Sequence, residues 1–223
     1  MESGEIHPKV KALLEATYFE QRSQEWLALR ENMLTASDAA SALGSNPYEK
    51  PEKLLMKKCG AHKWAGNEAT NHGTLLEPVA RDLYDKQFSK KTHEIGLVVH
   101  PKYPFLGGSA DGVTEDGILV EIKCPLRRKI EAKVPKHYVA QVQLLLEILD
   151  LEVCDFVQYR PDPYEFVTVR VVRDRKWFEE ALPIMEAFWN RVIEARKNGV
   201  CELEPDPNVP TFSNEIVCEL QAE

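Results

Sequence analysis

A chain of 223 residues, 43% hydrophobic and 29% charged, carries enough apolar material for one globular domain of somewhat above average size. Its net charge of -8 argues against a general polyanion-binding surface, which draws its affinity from excess Lys and Arg, so any nucleic-acid site has to be a local basic patch. No apolar run approaches the roughly eighteen residues of a membrane span, the N-terminus lacks the basic-then-apolar order of a secretory signal, and five scattered cysteines form no CxxC pair; the expectation is a soluble intracellular protein, cytoplasmic or nuclear, with reduced thiols and no membrane partner.

In chain order, Ser23 caps a helix carrying Trp26, Leu27 and Leu29, and the run SDAASALG sets a cap-like Ser37 ahead of a terminating Gly44. Asn46-Pro47-Tyr48 reads as a turn. Over residues 74–88, Leu75, Leu76, Val79, Ala80, Leu83 and Tyr84 recur at threes and fours, the period of an amphipathic helix. Pro78 fits its first turn, where N–H groups lack intrahelical partners. Extended segments follow at 95–100 and 118–123, with turns at Gly107-Gly108 and Asp116-Gly117. A basic connector leads to a helix over 138–149 and then to strands over 153–159 and 165–172, joined by the turn-rich Arg160-Pro161-Asp162-Pro163. A long amphipathic helix over 174–197, kinked at Pro183, ends at Gly199, and the acidic C-terminus reads as an extended tail. This order predicts an α/β (α+β) fold with a central mixed β-sheet flanked by helices.

The chemistry concentrates in SADGVTEDGILVEIKCP, residues 109–125. Strand alternation puts Ile118, Val120 and Ile122 on one face and Leu119, Glu121 and Lys123 on the other. A hairpin between Asp111 and Glu121 brings their carboxylates within a few ångströms, where they repel unless a cation lies between them. Hard oxygen ligands of this kind suit Mg²⁺ or Mn²⁺, and a backbone carbonyl such as that of Ile122, with water, completes the octahedron. The Lys123 ammonium would then orient a water or stabilise charge on a phosphate oxygen during in-line attack. The bland reading of the same residues is a charged hairpin, since Asp-Gly is a common turn and Glu and Lys on one strand face often form a solvated ion pair. The D-x9-E-x-K spacing does not by itself separate the two.

GGSADGV followed by GILVEIKCP resembles the central motif of the YqaJ-like viral recombinase, or lambda-exonuclease-like, nucleases of the PD-(D/E)xK superfamily. RSQEWLALRENMLTASDAASALG resembles the family's N-terminal W-x2-L-R…[IL]TAS block, HGTLLEPVARDLY its acid-bearing helix, and HYVAQVQ its late helical motif. The four blocks stand in the family's order across residues 21–160. Ala110 occupies the place where the superfamily's name leads one to expect proline, a position that shapes the turn and supplies no ligand.

The resemblance implies a restriction-endonuclease-like PD-(D/E)xK core. Residues 1–205 would form one nuclease domain, helical over about 1–90 and catalytic over about 91–200, with 206–223 as a tail. It implies Glu77, Asp111, Glu121 and the Ile122 carbonyl as ligands of Mg²⁺, with Mn²⁺ as substitute. Asp111, Glu121, Lys123 and Gln143 would be catalytic, Gln143 (with Gln141 beside it) positioning water or substrate. Arg30 and Ser37 match the family's residues that hold a DNA phosphate.

The residues' own reading keeps alternatives open. Thr74-Leu75-Leu76-Glu77 also fits a capping box, Arg30 a solvated helix-end cation and Ser37 a plain N-cap. Arg127 and Arg128, with Lys129, Lys133 and Lys136, make the densest basic patch of the chain, suited to phosphate contact or to a solvated face. Trp26, Trp64 and Tyr48 suit stacking on a DNA end or wedging against it, with core packing the favoured alternative for each tryptophan.

The activity implied is Mg-dependent exonuclease action on double-stranded DNA ends, 5′ to 3′ with preference for a 5′ phosphate. It would serve single-strand-annealing recombination, with a homotrimeric ring and an annealing protein as partners. An inactive DNA-binding protein or an endonuclease with the same fold is the alternative, and intact Asp111, Glu121 and Lys123 speak against the inactive one. An iron-sulfur nuclease would need four clustered cysteines, which are not found.

Overall fold

Short helices open the chain and two β-sheets follow, in a computed structural model that describes residues 5–16, 18–19, 21–60 and 68–199. Helix α1 (Pro8–Glu15) begins on a proline, whose missing N–H would have had no helical partner there. Ser23 caps α2 (Gln24–Glu31) as expected, its hydroxyl accepting from Trp26 N at 3.1 Å. After β1 (Leu34–Thr35) the chain turns through a 3-10 helix, Ala36–Asp38, into the short α3 (Ala39–Ala42), and α4 (Pro51–Lys58) follows. Next come α5 (Glu68–Phe88), β2 (Thr92–His93), β3 (Val98–Val99), β4 (Leu106–Gly108), β5 (Gly112–Thr114) and β6 (Ile118–Lys123). The chain continues through α6 (Lys136–Leu149), β7 (Val153–Arg160), β8 (Glu165–Val172) and α7 (Arg175–Asn198), whose cap Asp174 accepts from Trp177 N at 3.0 Å.

Five strands form the central mixed sheet, in order β2-β5-β6-β7-β8. Its pairings are antiparallel except β6 with β7, which run parallel because α6 carries the chain back between them. A second, smaller mixed sheet has the order β1-β4-β3. The fold is α+β, and the expected central sheet is present. The second sheet was not anticipated, because β1 and β3 are two residues each and leave no periodicity to read.

Strand alternation in β6 holds. Leu119 joins the large cluster in which Leu144, Leu145 and Leu146 of α6 are fully buried, while Val120 and Ile122 pack with Ala80 and Tyr84 of α5. Each such leucine contributes roughly 1.5–3 kcal/mol of burial. On the α5 face the buried Asp155 is fully paired, accepting from Tyr84 Oη at 2.6 Å and from Arg170 Nε and Nη2 at 2.8 Å each.

Three local expectations are corrected. Gly107-Gly108 is not a turn but part of β4, in the middle of the smaller sheet. A β-carbon on Gly107 would run into Met33 Sδ and one on Gly108 would sit 2.7 Å from Leu145 Cδ2, so these glycines serve close packing. Of the extended segment 95–100 Val98–Val99 form the strand, with His100 N donating to the Leu106 carbonyl at its end, and Thr92–His93 pairs before it. The helix expected from residue 74 already runs at Glu68, so Pro78 lies in its interior and costs the bond its N–H would have made to the Thr74 carbonyl. The Asp116-Gly117 turn is present, with Gly117 at φ 89°. Cys59, Cys124 and Cys154 are unpaired; Trp64, Cys201, Cys218 and the expected tail lie outside the described residues. Among the described residues no helix is long and apolar enough to cross a membrane.

Candidate active site

The hairpin β5-β6 pairs Gly112 with Val120, so Asp111 precedes the first paired residue just where Glu121 follows its partner. Asp111 Oδ2 accepts from Ile122 N at 2.7 Å, which fixes the carboxylate against the end of β6. Gly112 is needed here because a β-carbon would run into Thr92 Cγ2 of β2. Ala110, immediately before Asp111, is fully buried.

Glu121 is fully buried. Its Oε1 accepts from Lys123 Nζ and, at 2.6 Å, from Gln141 Nε2, while Oε2 has no hydrogen-bond partner among the described residues. Leaving a buried carboxylate oxygen unpaired is costly, on the order of 1–3 kcal/mol or more, and an oxygen held dry in this way suits a cation. Burial, reinforced by Asp111 and Glu77, pushes the Glu121 carboxyl up to about 8. Burial and Asp111 push Glu77, which projects from α5, up to about 7.

Three mutually repelling carboxylates make an all-oxygen donor set that fits a hard divalent cation. Among the described residues no three His, Cys, Asp or Glu side chains stand closed around one point. Glu77 is turned instead toward Arg81 Nη2 at 3.0 Å and Arg22 Nη2 at 3.8 Å. Since α5 is helical before Thr74, the capping alternative for Glu77 no longer applies. Burial alone would lower the Lys123 pKa, but Glu121 and Asp111 outweigh it and hold the ammonium above its ordinary value. The same ammonium stands 5.2 Å over the Tyr138 ring.

A second cluster gathers around the TAS segment. Arg30 Nη2 donates to Ser37 Oγ at 2.9 Å and to Thr35 Oγ1 at 3.5 Å, and its guanidinium lies 4.4 Å over the Trp26 ring. Burial lowers the Arg30 pKa against the pull of Asp38. Ser37 is exposed and is not an N-cap; Thr35 and Asp38 take that part, Thr35 N and Oγ1 donating to Asp38 Oδ2 at 3.2 and 2.5 Å. Trp26 is half-buried rather than a core residue, its Nε1 donating to Ser109 Oγ at 3.1 Å and its ring carrying the Arg30 guanidinium.

Sequence reasoning missed Lys58. Its buried ammonium donates to the carbonyls of Arg30 (2.8 Å) and Met33 (2.9 Å) and lies 2.7 Å from Asp38 Oδ2, so it pins the backbone on which Arg30 and Ser37 stand. Nothing in PEKLLMKK separates this lysine from its neighbours.

Gln143 is not brought to Lys123. It is buried and ties α6 to the β8-α7 junction, Nε2 donating to the Val172 carbonyl at 2.9 Å and Oε1 accepting from Asp174 N at 2.8 Å. Residues two apart on a helix point to different sides, so Gln141 is the glutamine of HYVAQVQ that reaches Glu121.

Arg127 and Arg128 line an open cleft of about 550 Å³ beside Lys123, together with Tyr48, His137 and Tyr138. Arg127 is 3.6 Å from Glu68, both side chains exposed, and Arg128 Nη1 donates to Gln158 Oε1 at 2.9 Å and the Lys129 carbonyl at 3.0 Å.

With this fold and site in view, comparison with known proteins agrees with the resemblance. Residues 25–152, more than half of the chain, match the YqaJ-like viral recombinase domain, and the chain belongs to that family. It is 31% identical over 166 residues to an uncharacterized protein of Acanthamoeba polyphaga mimivirus, covering 66% of this chain and 30% of that protein. It is 26% identical over 186 residues to the uncharacterized protein YqaJ of Bacillus subtilis, covering 77% and 56% respectively. The chain thus spans between about a third and somewhat over half of these two relatives. A crystal structure of LHK-Exo, an alkaline exonuclease from Laribacter hongkongensis, in complex with dAMP is similar at a TM-score of 0.69 and 29% identity, over 79% of this chain and 95% of that one.

Proposed function

We propose that this chain is a metal-dependent deoxyribonuclease that digests double-stranded DNA from its ends, 5′ to 3′, and so supplies single strands for annealing recombination. The observation that carries the reading is Glu121, buried with an unpartnered Oε2, beside Lys123 and facing the hairpin position of Asp111. The fold it shares with an alkaline exonuclease supports it.

In this reading Glu77, Asp111, Glu121 and the Ile122 carbonyl hold Mg²⁺, or Mn²⁺ in its place. When bound, the cation supplies a Lewis acid that neutralises phosphate charge and makes water a better nucleophile. Lys123, kept charged by its acidic neighbours, offers its ammonium to the oxygen on which charge develops. Gln141 holds the Glu121 carboxylate in orientation, and the water-positioning part expected of Gln143 is not used. Arg30 and Ser37 converge on one point and present a guanidinium and a hydroxyl to a phosphate at the DNA end. Residues 1–205 act as one nuclease domain, assembled as a homotrimer and working with an annealing protein.

The test is digestion of linear duplex labelled at either end, with and without a 5′ phosphate, in Mg²⁺ or in chelator. Mg²⁺-dependent release from phosphorylated 5′ ends is expected, reduced on the order of a hundredfold or more in Glu121→Gln and Lys123→Ala. Wild-type protein that releases nothing in Mg²⁺ sinks the reading. A readout independent of activity is the melting temperature, which Mn²⁺ should raise in the wild type and leave unmoved in Asp111→Asn. Sizing in solution checks the ring, and a monomer removes it.

A further inference from the structure

We infer that the cleft beside Lys123 is a nucleotide-stacking subsite, taking one nucleotide unit of a DNA strand with its base stacked on Tyr48, His137 standing edge-on behind that ring, and its phosphate on Arg127 and Arg128. It rests on the nuclease reading only in naming the DNA strand as the source of the nucleotide.

Three rings form a path from the candidate active site to the protein surface. Tyr138 underlies the Lys123 ammonium at 5.2 Å, His137 is tilted against Tyr138 with centroids 4.2 Å apart, and Tyr48 meets His137 edge-on at 5.4 Å. Tyr48 is 74% exposed, so core packing does not explain it. It is nevertheless held in place, because its N–H donates to Asn46 Oδ1 at 2.9 Å in the turn before it. A large aromatic face presented to solvent on a pinned turn is a platform for a flat partner, and every nucleobase offers one.

The other wall is cationic. The Arg127 side chain is 82% exposed, and Glu68, itself 78% exposed and 3.6 Å away, is a weak partner that a phosphate would displace. Arg128 is anchored through Nη1 to Gln158 and the Lys129 carbonyl, and its Nη2 is buried without a hydrogen-bond partner among the described residues. The guanidinium so fixed stands on the cleft wall, where its positive charge favours a phosphate. About 550 Å³ suits one nucleotide and falls within the range of small-ligand sites. An acidic peptide would satisfy the arginines but leave the rings without a flat partner.

The experiment uses the full chain in chelator, so that binding is read without hydrolysis, and a duplex whose short single-stranded end carries 2-aminopurine. Wild-type protein should quench the 2-aminopurine fluorescence on binding. Tyr48→Ala should weaken binding about tenfold and abolish the quench, and Tyr48→Trp should restore both. Arg127→Gln with Arg128→Gln should lower the salt dependence of binding by about one to two phosphate contacts. Displacement by free dAMP would show that a mononucleotide suffices, and displacement by unlabelled oligonucleotide alone that the strand is required; both support the subsite. Equal affinity and equal quench in Tyr48→Ala overturn it. Tyr48-dependent quenching without any Mg²⁺-dependent digestion would leave the subsite standing and remove the nuclease reading, and digestion without Tyr48 dependence would do the reverse.

Discussion

The indole of Trp26 donates from Nε1 to the hydroxyl of Ser109 across 3.1 Å, which fastens α2 to the chain two residues before Asp111. The same ring carries the Arg30 guanidinium 4.4 Å above it. One side chain thereby sets the spacing between the proposed phosphate cluster and the carboxylate hairpin.

Replacing Trp26 by Phe keeps a ring under Arg30 and removes only the donor. Stability should fall by about 1 kcal/mol, the net worth of one hydrogen bond, and discrimination between 5′-phosphate and 5′-hydroxyl ends should narrow. Urea unfolding and end-binding titrations check this, and a variant equal to wild type in both would show that the bond positions nothing.

Lys58→Met leaves Asp38 buried without its cation. Breaking a buried pair in this way costs about 3–5 kcal/mol, and adding Asp38→Asn should recover part of the loss because the stranded charge is gone. Equilibrium denaturation of the single and double variants reads this, and a loss below about 1 kcal/mol for Lys58→Met would argue that the ammonium does not hold the segment.

Gly112→Ala forces a methyl into Thr92 Cγ2 and should destabilise by about 1–3 kcal/mol. Thr92→Ser removes that carbon and keeps the hydroxyl that donates to Asp85 Oδ1 at 2.5 Å. The double variant should therefore be more stable than Gly112→Ala alone, a coupling that a mutant cycle measures directly. Purely additive losses would place the strain elsewhere.

His100 gives the pH dependence. Its ring is buried against Phe178 and Tyr103, and Nδ1 accepts from the N–H groups of Lys102 (3.1 Å) and Tyr103 (3.3 Å), as only an unprotonated nitrogen can. Burial lowers its pKa from 6.5; Glu147, 3.9 Å from Nε2, opposes this, and Arg173 and Lys102 add to it. The unfolded chain therefore takes up a proton first as pH falls below 6.5, and stability declines from there toward the folded-state pKa, by up to about 1.4 kcal/mol per pH unit. Urea midpoints at pH 7.5 and 5 should show a decline in wild type that is smaller in His100→Asn, whose amide oxygen replaces the acceptor. Equal slopes would assign the decline to other groups.

Most helices and long strands were legible because their signals lie within single windows. The cap at Ser23, the tight turn at Gly117 and the alternation of β6 are each decided by a few neighbouring residues. The two-residue strands β1 and β3 were not legible, and the glycines of β4 misled, because their meaning comes from Met33 and Leu145, which are distant in the chain.

The candidate site divides along the same line. That Glu121 and Lys123 share a strand face and that Asp111 lies across a hairpin from them can be read from the residues in order, since a period of two and a tight turn are local properties. That Gln141 rather than Gln143 meets Glu121, that Glu77 lies in mid-helix, and that Lys58 pins Arg30 and Asp38 emerges in the folded chain alone. Each of these depends on which helix face is pressed against which strand, and that is settled by packing between elements far apart in the chain.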